Sequence, residues 1–409
     1  MGVLDDRLAH VAALRPRAVM NALRPAAEGG RNAEELLRLL GGRVGSNRFG
    51  DHVCVRCRFP EPRPSEISPR VLRLLSPGAA DSVRDCRQWL FLDTETTGLA
   101  GGTGTYAFLV GLGWWEDEGF VVEQYFMRNH GEEPSLLLEV LECLNRRRVL
   151  VTFNGKSFDW PLLQTRFQMV RLRPVPELWA HLDLLHPARQ IWRGSLKSVA
   201  LTELEHHVLG FRRDRDIPSA AIPQRYFNYL RGGPPQEIAD VFHHNQLDLC
   251  GLAFLALRIS GILENPESGV CGARELFGIS RMMQRRGENA SAARMYQEAL
   301  AGGLPENEER AARRELALMA KRGRNFELSN ALWEKLLGDS ADGMKAYEQL
   351  AIYYEHEASD LRKAAALSRE ALVRLQDAAR AGRISLQKYR QWHSGFQRRL
   401  SRLAAKIAQ

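Results

Sequence analysis

No apolar run in this chain of 409 residues approaches the ~18 residues needed to span a bilayer, so no membrane partner is expected. The opening, MGVLDDRLAH, lacks the apolar core of a secretory signal and turns acidic at Asp5 and Asp6. Asp6 also occupies the position where a myristoylation signal needs a small hydroxyl residue. These absences predict a soluble, cytoplasmic protein. Cysteine is sparse, with six in the whole chain, which excludes a dense disulfide framework. His52, Cys54 and Cys57 are spaced like half a zinc site, but no second C-x-x-C exists to close it. The alternation in DHVCVRCRF fits a strand better, with Val53, Val55 and Cys57 on one face. Proline (18) and glycine (34) are spread along the chain, which argues against disorder or a collagen-like repeat.

Acidic residues are missing from one place. After Asp377 there are none, and the last 32 residues carry eight Lys and Arg. The rest of the chain balances at 49 positive against 49 negative, so the net charge of +8 belongs to the tail. Tyr389, Trp392 and Phe396 lie among those cations. Such a tail either grips a nucleic-acid backbone or forms a last helix with a solvated basic face and inward aromatics, the reading favoured here.

Periodicity outlines the rest. A helix is expected around Ala33–Leu40, then one or two short strands over 46–60 and a Pro-rich connector, PEPRPSEISP. QWLFLD (88–93) reads as a buried strand and LAGGTG as a bend. TYAFLVGLGWWEDEGFVVEQYF reads as a hairpin turning near Gly119. Pro134 opens a helix to about Asn145, RRVLVTF is a strand, and a helix runs from Trp160 to about Met169. HLDLL begins as a short strand or helix start. Ser195 is expected to cap a helix LKSVALTELEHHVL that Gly210 ends, and Pro234-Pro235 to open a long helix to about Ile259. Strand, strand, strand, helix, strand and then helices suit a mixed sheet with helices on its faces. ENPESGVCG (264–272) reads as a linker to an all-helical region. There ARMYQEAL (293–300), NALWEKLL (330–337) and AALSREAL (365–372) recur at 37 and 35 residues, near the ~34-residue period of tetratricopeptide-like helix pairs. The chain thus divides into an N-terminal extension (1–80), an α/β domain (81–262) and a helical domain (272–409).

Three polar motifs interrupt this pattern. In FLDTETTGL, Asp93 and Glu95 lie two apart at the end of a buried strand and face the same way. Two like charges there need a compensating cation, and a hard divalent ion suits an oxygen site. In FNGKSFDWP, Asp159 arrives near the start of a helix after the Asn154-Gly155 turn; a capping role is the plainer alternative. In HHNQLDL, His244 and Asp248 are four apart and share a helix face, while His243 lies roughly 140° round from Asp248. Val241, Leu252 and Leu255 share the Asp248 face, so that carboxylate points toward apolar packing, where a metal or a histidine would have to compensate it.

The order D-x-E, N-x-x-x-F-D, H-x-x-x-D resembles the superfamily of 3′–5′ exonucleases with four acidic residues and an RNase H-like fold, over about 88–258. FLDTETTGL, FNGKSFDWPLL, GSLKSVA and HHNQLDL are most similar to the bacterial YprB-type family, which joins such a domain to tetratricopeptide-like repeats. The resemblance implies that Asp93, Glu95, Asp159 and Asp248 hold two divalent cations, Mg or Mn, for hydrolysis of phosphodiester bonds in single-stranded DNA or RNA. It implies a general base at Tyr four positions, or His five positions, before the last Asp. Here His244 has the first spacing and His243 the second, and His244 is preferred because it points with Asp248. Thr94, Thr96, Thr97, Gly98, Asn154 and Lys156 would meet the nucleotide, while His181 and Asp183 read as structural and His206-His207 as surface residues. The repeats would engage a protein partner. The alternative function is a non-catalytic scaffold that binds nucleic acid or protein through those repeats.

Overall fold

The computed structural model describes residues 29–60, 67–77, 83–98, 103–214, 216–338 and 340–408, and the chain divides into two units, Met1–Pro266 and Glu267–Gln409. The first unit begins with α1 (Gly29–Leu40), ended by Gly41 at φ 61°, a backbone that glycine adopts without strain. Strands β1 (Arg43–Asn47) and β2 (Gly50–Phe59) follow, then α2 (Pro69–Leu75), which starts at the last residue of the expected Pro-rich connector and is capped by the Ser68 hydroxyl. Next come β3 (Trp89–Thr96), β4 (Ala107–Glu116), β5 (Gly119–Phe126), α3 (Glu133–Arg146), β6 (Val149–Thr152), α4 (Asp159–Met169), β7 (Ala180–Asp183) and α5 (Leu185–Trp192). A short α6 (Leu201–Leu204) runs into a π-helical turn (Glu205–Leu209), followed by α7 (Ile222–Leu230) and α8 (Pro235–Glu264). The bend expected at LAGGTG falls partly at 99–102, outside the described residues.

Among the described residues seven strands form one mixed sheet in the order β1-β2-β5-β4-β3-β6-β7, so the strands expected before residue 60 extend it. β3 pairs antiparallel with β4 and parallel with β6, and β6 pairs parallel with β7. Trp89, Leu90, Phe91 and Leu92 are at most 1% exposed, because a continuous apolar run suits a strand covered on both faces. In β2, Cys54 donates to Glu123 while Cys57 accepts from Gln246, so the two sulfurs leave the strand with different partners and do not converge on a zinc ion.

One expectation needs correction. Ser195 caps no helix: its N–H closes the turn after α5 on the Trp192 carbonyl, and α6 starts only at Leu201. Gly210, at φ 81°, does end the π turn. By length and composition alone α8 is apolar enough to cross a membrane, a test that a buried core helix also passes. In the fold 78% of its apolar stretch is buried, and the helix packs on β3, β4 and β5.

The second unit holds α9 (Ala273–Arg285), α10 (Asn289–Ala301), α11 (Glu306–Arg322), α12 (Phe326–Glu334), α13 (Ala341–His356), α14 (Leu361–Arg380) and α15 (Leu386–Ile407). They pack in sequence as pairs, α9 with α10, α11 with α12 and α13 with α14, and α15 closes on α14. The three recurring sequence blocks begin on α10, α12 and α14, the second helix of each pair, so the packing is repeat-like.

In the basic tail Phe396 is buried with Met344, Tyr347 and Leu375, and Tyr389 and Trp392 pack against that cluster. Arg399, Arg402 and Lys406 converge on Glu355 of α13 at 2.7–3.0 Å, so three of the eight cations are held on one internal carboxylate. The Arg402 hydrogen bonds above all hold the Glu355 carboxyl down at about 2, from 4.5, outweighing its burial. A carboxyl depressed in the native state stabilises it above the unfolded value and loses that contribution as pH falls toward the native one. Calorimetry of the full chain should therefore show the helical unit weakening from pH ~4.5 to ~2, and Glu355→Gln should lower its melting temperature at neutral pH and flatten that slope. An unchanged slope would remove Glu355 as its cause.

Candidate metal and catalytic site

β3 ends in Asp93 and Glu95. Opposite Asp93 in the ladder stands Gly111, where an added Cβ would collide with the Asn245 side chain of α8. That room lets Asn245 Nδ2 donate to Asp93 Oδ2 at 2.7 Å. Gln124 of β5 donates to Asn245 Oδ1 at 2.8 Å, and Gln246 donates to Gln124 Oε1 at 2.8 Å. These three amides are buried and lock the Asp93 side chain. Glu95, 8% exposed, has no hydrogen-bond or ion-pair partner among the described residues.

Asp159 opens α4, and its Oδ1 accepts from the Thr94 hydroxyl at 2.5 Å. Arg166 holds α4 to α3 through a buried fork on Glu133, both bonds 2.5 Å. The turn before α4 is shaped by Asp183, which accepts from the N–H groups of Asn154 (φ 68°) and Lys156, while His181 bonds Thr152; both thus serve structure, as read. Lys156 and Phe158 are exposed there. Thr96 donates to the Gly98 carbonyl, and Thr97 Oγ1 accepts from the Tyr106 N–H. The hydroxyl protons of Thr94 and Thr96 are thus already committed within the protein.

On α8, His244 is 4% exposed. Its Nδ1 lies 2.7 Å from Asp216 Oδ1, and its Nε2 lies 3.3 Å from Asp248 Oδ2 and 3.4 Å from the Ser219 hydroxyl. His243, the other histidine considered, is half-buried and outside this cluster. Asp248 was expected to need a metal or a histidine; the structure also supplies Arg213, whose Nη2 donates to Asp248 Oδ1 at 2.6 Å. Arg213 forks onto Glu205 at 2.5 and 2.6 Å and reaches Asp216 Oδ2 at 3.0 Å. Glu205 rests against Gly251 of α8, where any Cβ would strike its carboxylate.

Glu95, His244 and Asp248 offer ligand atoms that all lie within 4.8 Å of one another. Burial, and then the charges of Asp248 and Asp159, push the Asp93 carboxyl well above its usual range. Glu95 is pushed up by burial, then by Asp93, Asp248, Asp159 and Asp216. Burial brings Asp159 to about 6 and Glu205 to about 7. Burial would also raise Asp216, but the bonds and charges of His244 and Arg213 outweigh it and hold this carboxyl at about 2. Of these six acids, Glu205, Asp216 and Asp248 bond the buried Arg213 guanidinium, and the excess negative charge of Asp93, Glu95, Asp159 and their neighbours must be met by protons or further cations. The donor set, carboxylate oxygens with one imidazole nitrogen and an unpartnered buried glutamate, fits a divalent ion. One such three-residue site is gathered, while Asp93 and Asp159 stand beside it on Asn245 and Thr94.

A stability effect follows. Asp159 moves from 3.8 to about 6 and Glu205 from 4.5 to about 7, so the native state keeps protons that the unfolded chain releases. Stability must then fall as pH rises through this window. In EDTA the melting temperature of the first unit should decline between pH ~5 and ~7, and Mn²⁺ should restore it most at pH ~7. A chelated protein that gains stability over that interval would contradict the charge balance described.

Residues 90–259 match the RNase H superfamily. The Uncharacterized protein YprB of Bacillus subtilis (strain 168) is 31% identical over 286 residues, covering 69% of this chain and 68% of its own length. The family B DNA polymerase of the hyperthermophilic archaeon Pyrobaculum calidifontis aligns with 52% of this chain at 14% identity and a TM-score of 0.36. The chain spans 29% of that polymerase's length, a likeness too slight to carry fold or function. With an acidic cluster on an RNase H-like sheet and repeat-like helices later in the chain, this protein belongs to the YprB family.

Proposed function

We propose that the chain is a metal-dependent nuclease, a 3′–5′ exonuclease acting on single-stranded DNA or RNA with two divalent ions. The RNase H-like fold and superfamily match support nuclease activity in general. The observation that carries the finer reading is Glu95, 8% exposed and without a hydrogen-bond or ion-pair partner among the described residues, in the field of Asp93, Asp248 and Asp159. Bound divalent ions supply charge stabilisation and water activation at a phosphodiester. The protein's part is to hold ligands still. Asn245 and Gln124 fix Asp93, Thr94 fixes Asp159, and Arg213 takes one oxygen of Asp248 and leaves the other toward the site. In the helical unit a cavity of about 500 Å³ is lined by arginines together with Glu315 and Tyr296, and one of those arginines, Arg314, is already paired with Asp342 and Glu315.

The test uses 5′-labelled single-stranded DNA and RNA with Mn²⁺, Mg²⁺ or EDTA. Wild type should shorten them stepwise from the 3′ end with a divalent ion present, and Asp93→Asn should be slower by ~10³-fold. Wild type no faster than Asp93→Asn would sink the enzyme reading. Equal cleavage of circular DNA would sink the exonuclease part.

A further inference from the structure

The resemblance implied a histidine that accepts a proton from water, but the surroundings of His244 point to a different use. Its two nitrogens face unlike partners. Nδ1 is 2.7 Å from Asp216 Oδ1, within the range of a charge-assisted hydrogen bond. Nε2 is 3.3 Å from Asp248 Oδ2, longer than such a bond. In a neutral ring the close contact sets the tautomer: the Nδ1 proton goes to Asp216, and Nε2 offers its lone pair, with the Ser219 hydroxyl 3.4 Å away. That lone pair and Asp248 Oδ2, 3.3 Å apart, are two acceptors facing one point, and a cation seated there would meet both. Asp248 is already oriented for it, because Arg213 occupies Oδ1 at 2.6 Å and leaves Oδ2 on the histidine side. Glu95, buried and unpartnered, completes the cluster of atoms within 4.8 Å.

We infer that His244, oriented by Asp216, is a nitrogen ligand to a divalent ion shared with Glu95 and Asp248, and that this site favours Mn²⁺ over Mg²⁺. Histidines that bind metals usually give their other ring N–H to a carboxylate, which fixes the ring and raises its basicity. An imidazole ligand suits a transition ion, whereas Mg²⁺ prefers an all-oxygen shell. Asp216 is then a positioning residue, carried with Arg213 by the segment between the π turn and α7. The inference rests on the metal-binding part of the proposed function and on no step of hydrolysis.

The experiment is electron spin-echo spectroscopy of the full chain with Mn²⁺ alone, alongside calorimetric titration with Mn²⁺ and Mg²⁺. Wild type should show ¹⁴N coupling to bound Mn²⁺, replaced by ¹⁵N coupling when histidine is ¹⁵N-labelled. His244→Ala should lose the coupling, and its Mn²⁺ affinity should fall about 10- to 100-fold while Mg²⁺ affinity changes less. Asp216→Ala should weaken Mn²⁺ binding about 10-fold, and Asp216→Asn, which keeps an acceptor oxygen, should recover most of it. No nitrogen coupling in wild type with Mn²⁺ bound, or coupling that survives His244→Ala, overturns the inference. Coupling without any cleavage of nucleic acid would leave it standing and sink the nuclease reading. Cleavage without coupling would do the reverse and return Nε2 to proton acceptance.

Discussion

Glu95→Gln should make the metal-free protein more stable and the enzyme inactive. The substitution keeps the shape of a side chain that is 8% exposed and bonded to nothing among the described residues. It removes a charge that Asp93, Asp248, Asp159 and Asp216 all repel. In EDTA at neutral pH the melting temperature should rise by a few degrees. Divalent ions should stabilise wild type far more than the variant. Wild type at an Mn²⁺ concentration 100 times its dissociation constant gains about 2.7 kcal/mol, and the variant should lose most of that gain with its ligand. Hydrolysis should drop on the order of 10³-fold, as expected when charge stabilisation at the reacting phosphate fails. Glu95 is a cleaner probe than Asp93, because Asn245 donates to Asp93 and would have to readjust to an amide there. A variant that melts lower than wild type in EDTA would show that Glu95 is satisfied in the metal-free state, and the charge-balance argument would fail with it.

The sequence displays the candidate ligands more openly than their supports. Asp93 and Glu95 could be read because they break an apolar strand at its end, and His244 and Asp248 because helical spacing puts them on one face. The strands at 43–59 were visible, but their place in the same sheet depends on β2 pairing with β5, a contact that local patterning does not encode. Asn245 and Gln246 were in plain view inside HHNQLDL, yet their role needs Gln124 and the missing side chain of Gly111, both far along the chain. Arg213 and Asp216 sit in FRRDRDIP, which looks like any solvated charge run. Glu205 precedes two surface histidines and has no periodic signal. The helix expected from Ser195 failed because residues 196–200 follow the turn after α5 and leave helical backbone only from Leu201.

Arg213→Met should be among the most destabilising single changes in the first unit. The guanidinium is 5% exposed and serves three carboxylates at once: Glu205, exposed 1%, Asp216 at 16% and Asp248 at 17%. Breaking a buried pair from one side strands the other charge and costs about 3–5 kcal/mol. The loss should depend on pH. Glu205 sits at about 7 even with Arg213 beside it, so at pH ~5 it already carries a proton and its partner matters less. Urea denaturation should therefore show a larger deficit at pH ~7.5 than at pH ~5. Arg213→Lys should fall between the two, since one ammonium cannot fork onto Glu205 and still reach Asp248. Arg213→Met combined with Glu205→Met should recover part of the loss, because the most buried stranded carboxylate is gone. Such a rescue would separate the stabilising role of Arg213 from its hold on Asp248: stability would return while Mn²⁺ affinity stayed low, since nothing would then keep Asp248 Oδ2 turned toward His244. Arg213→Met melting within a degree or two of wild type at pH ~7.5 would mean that the acids around it are balanced by something other than this arginine.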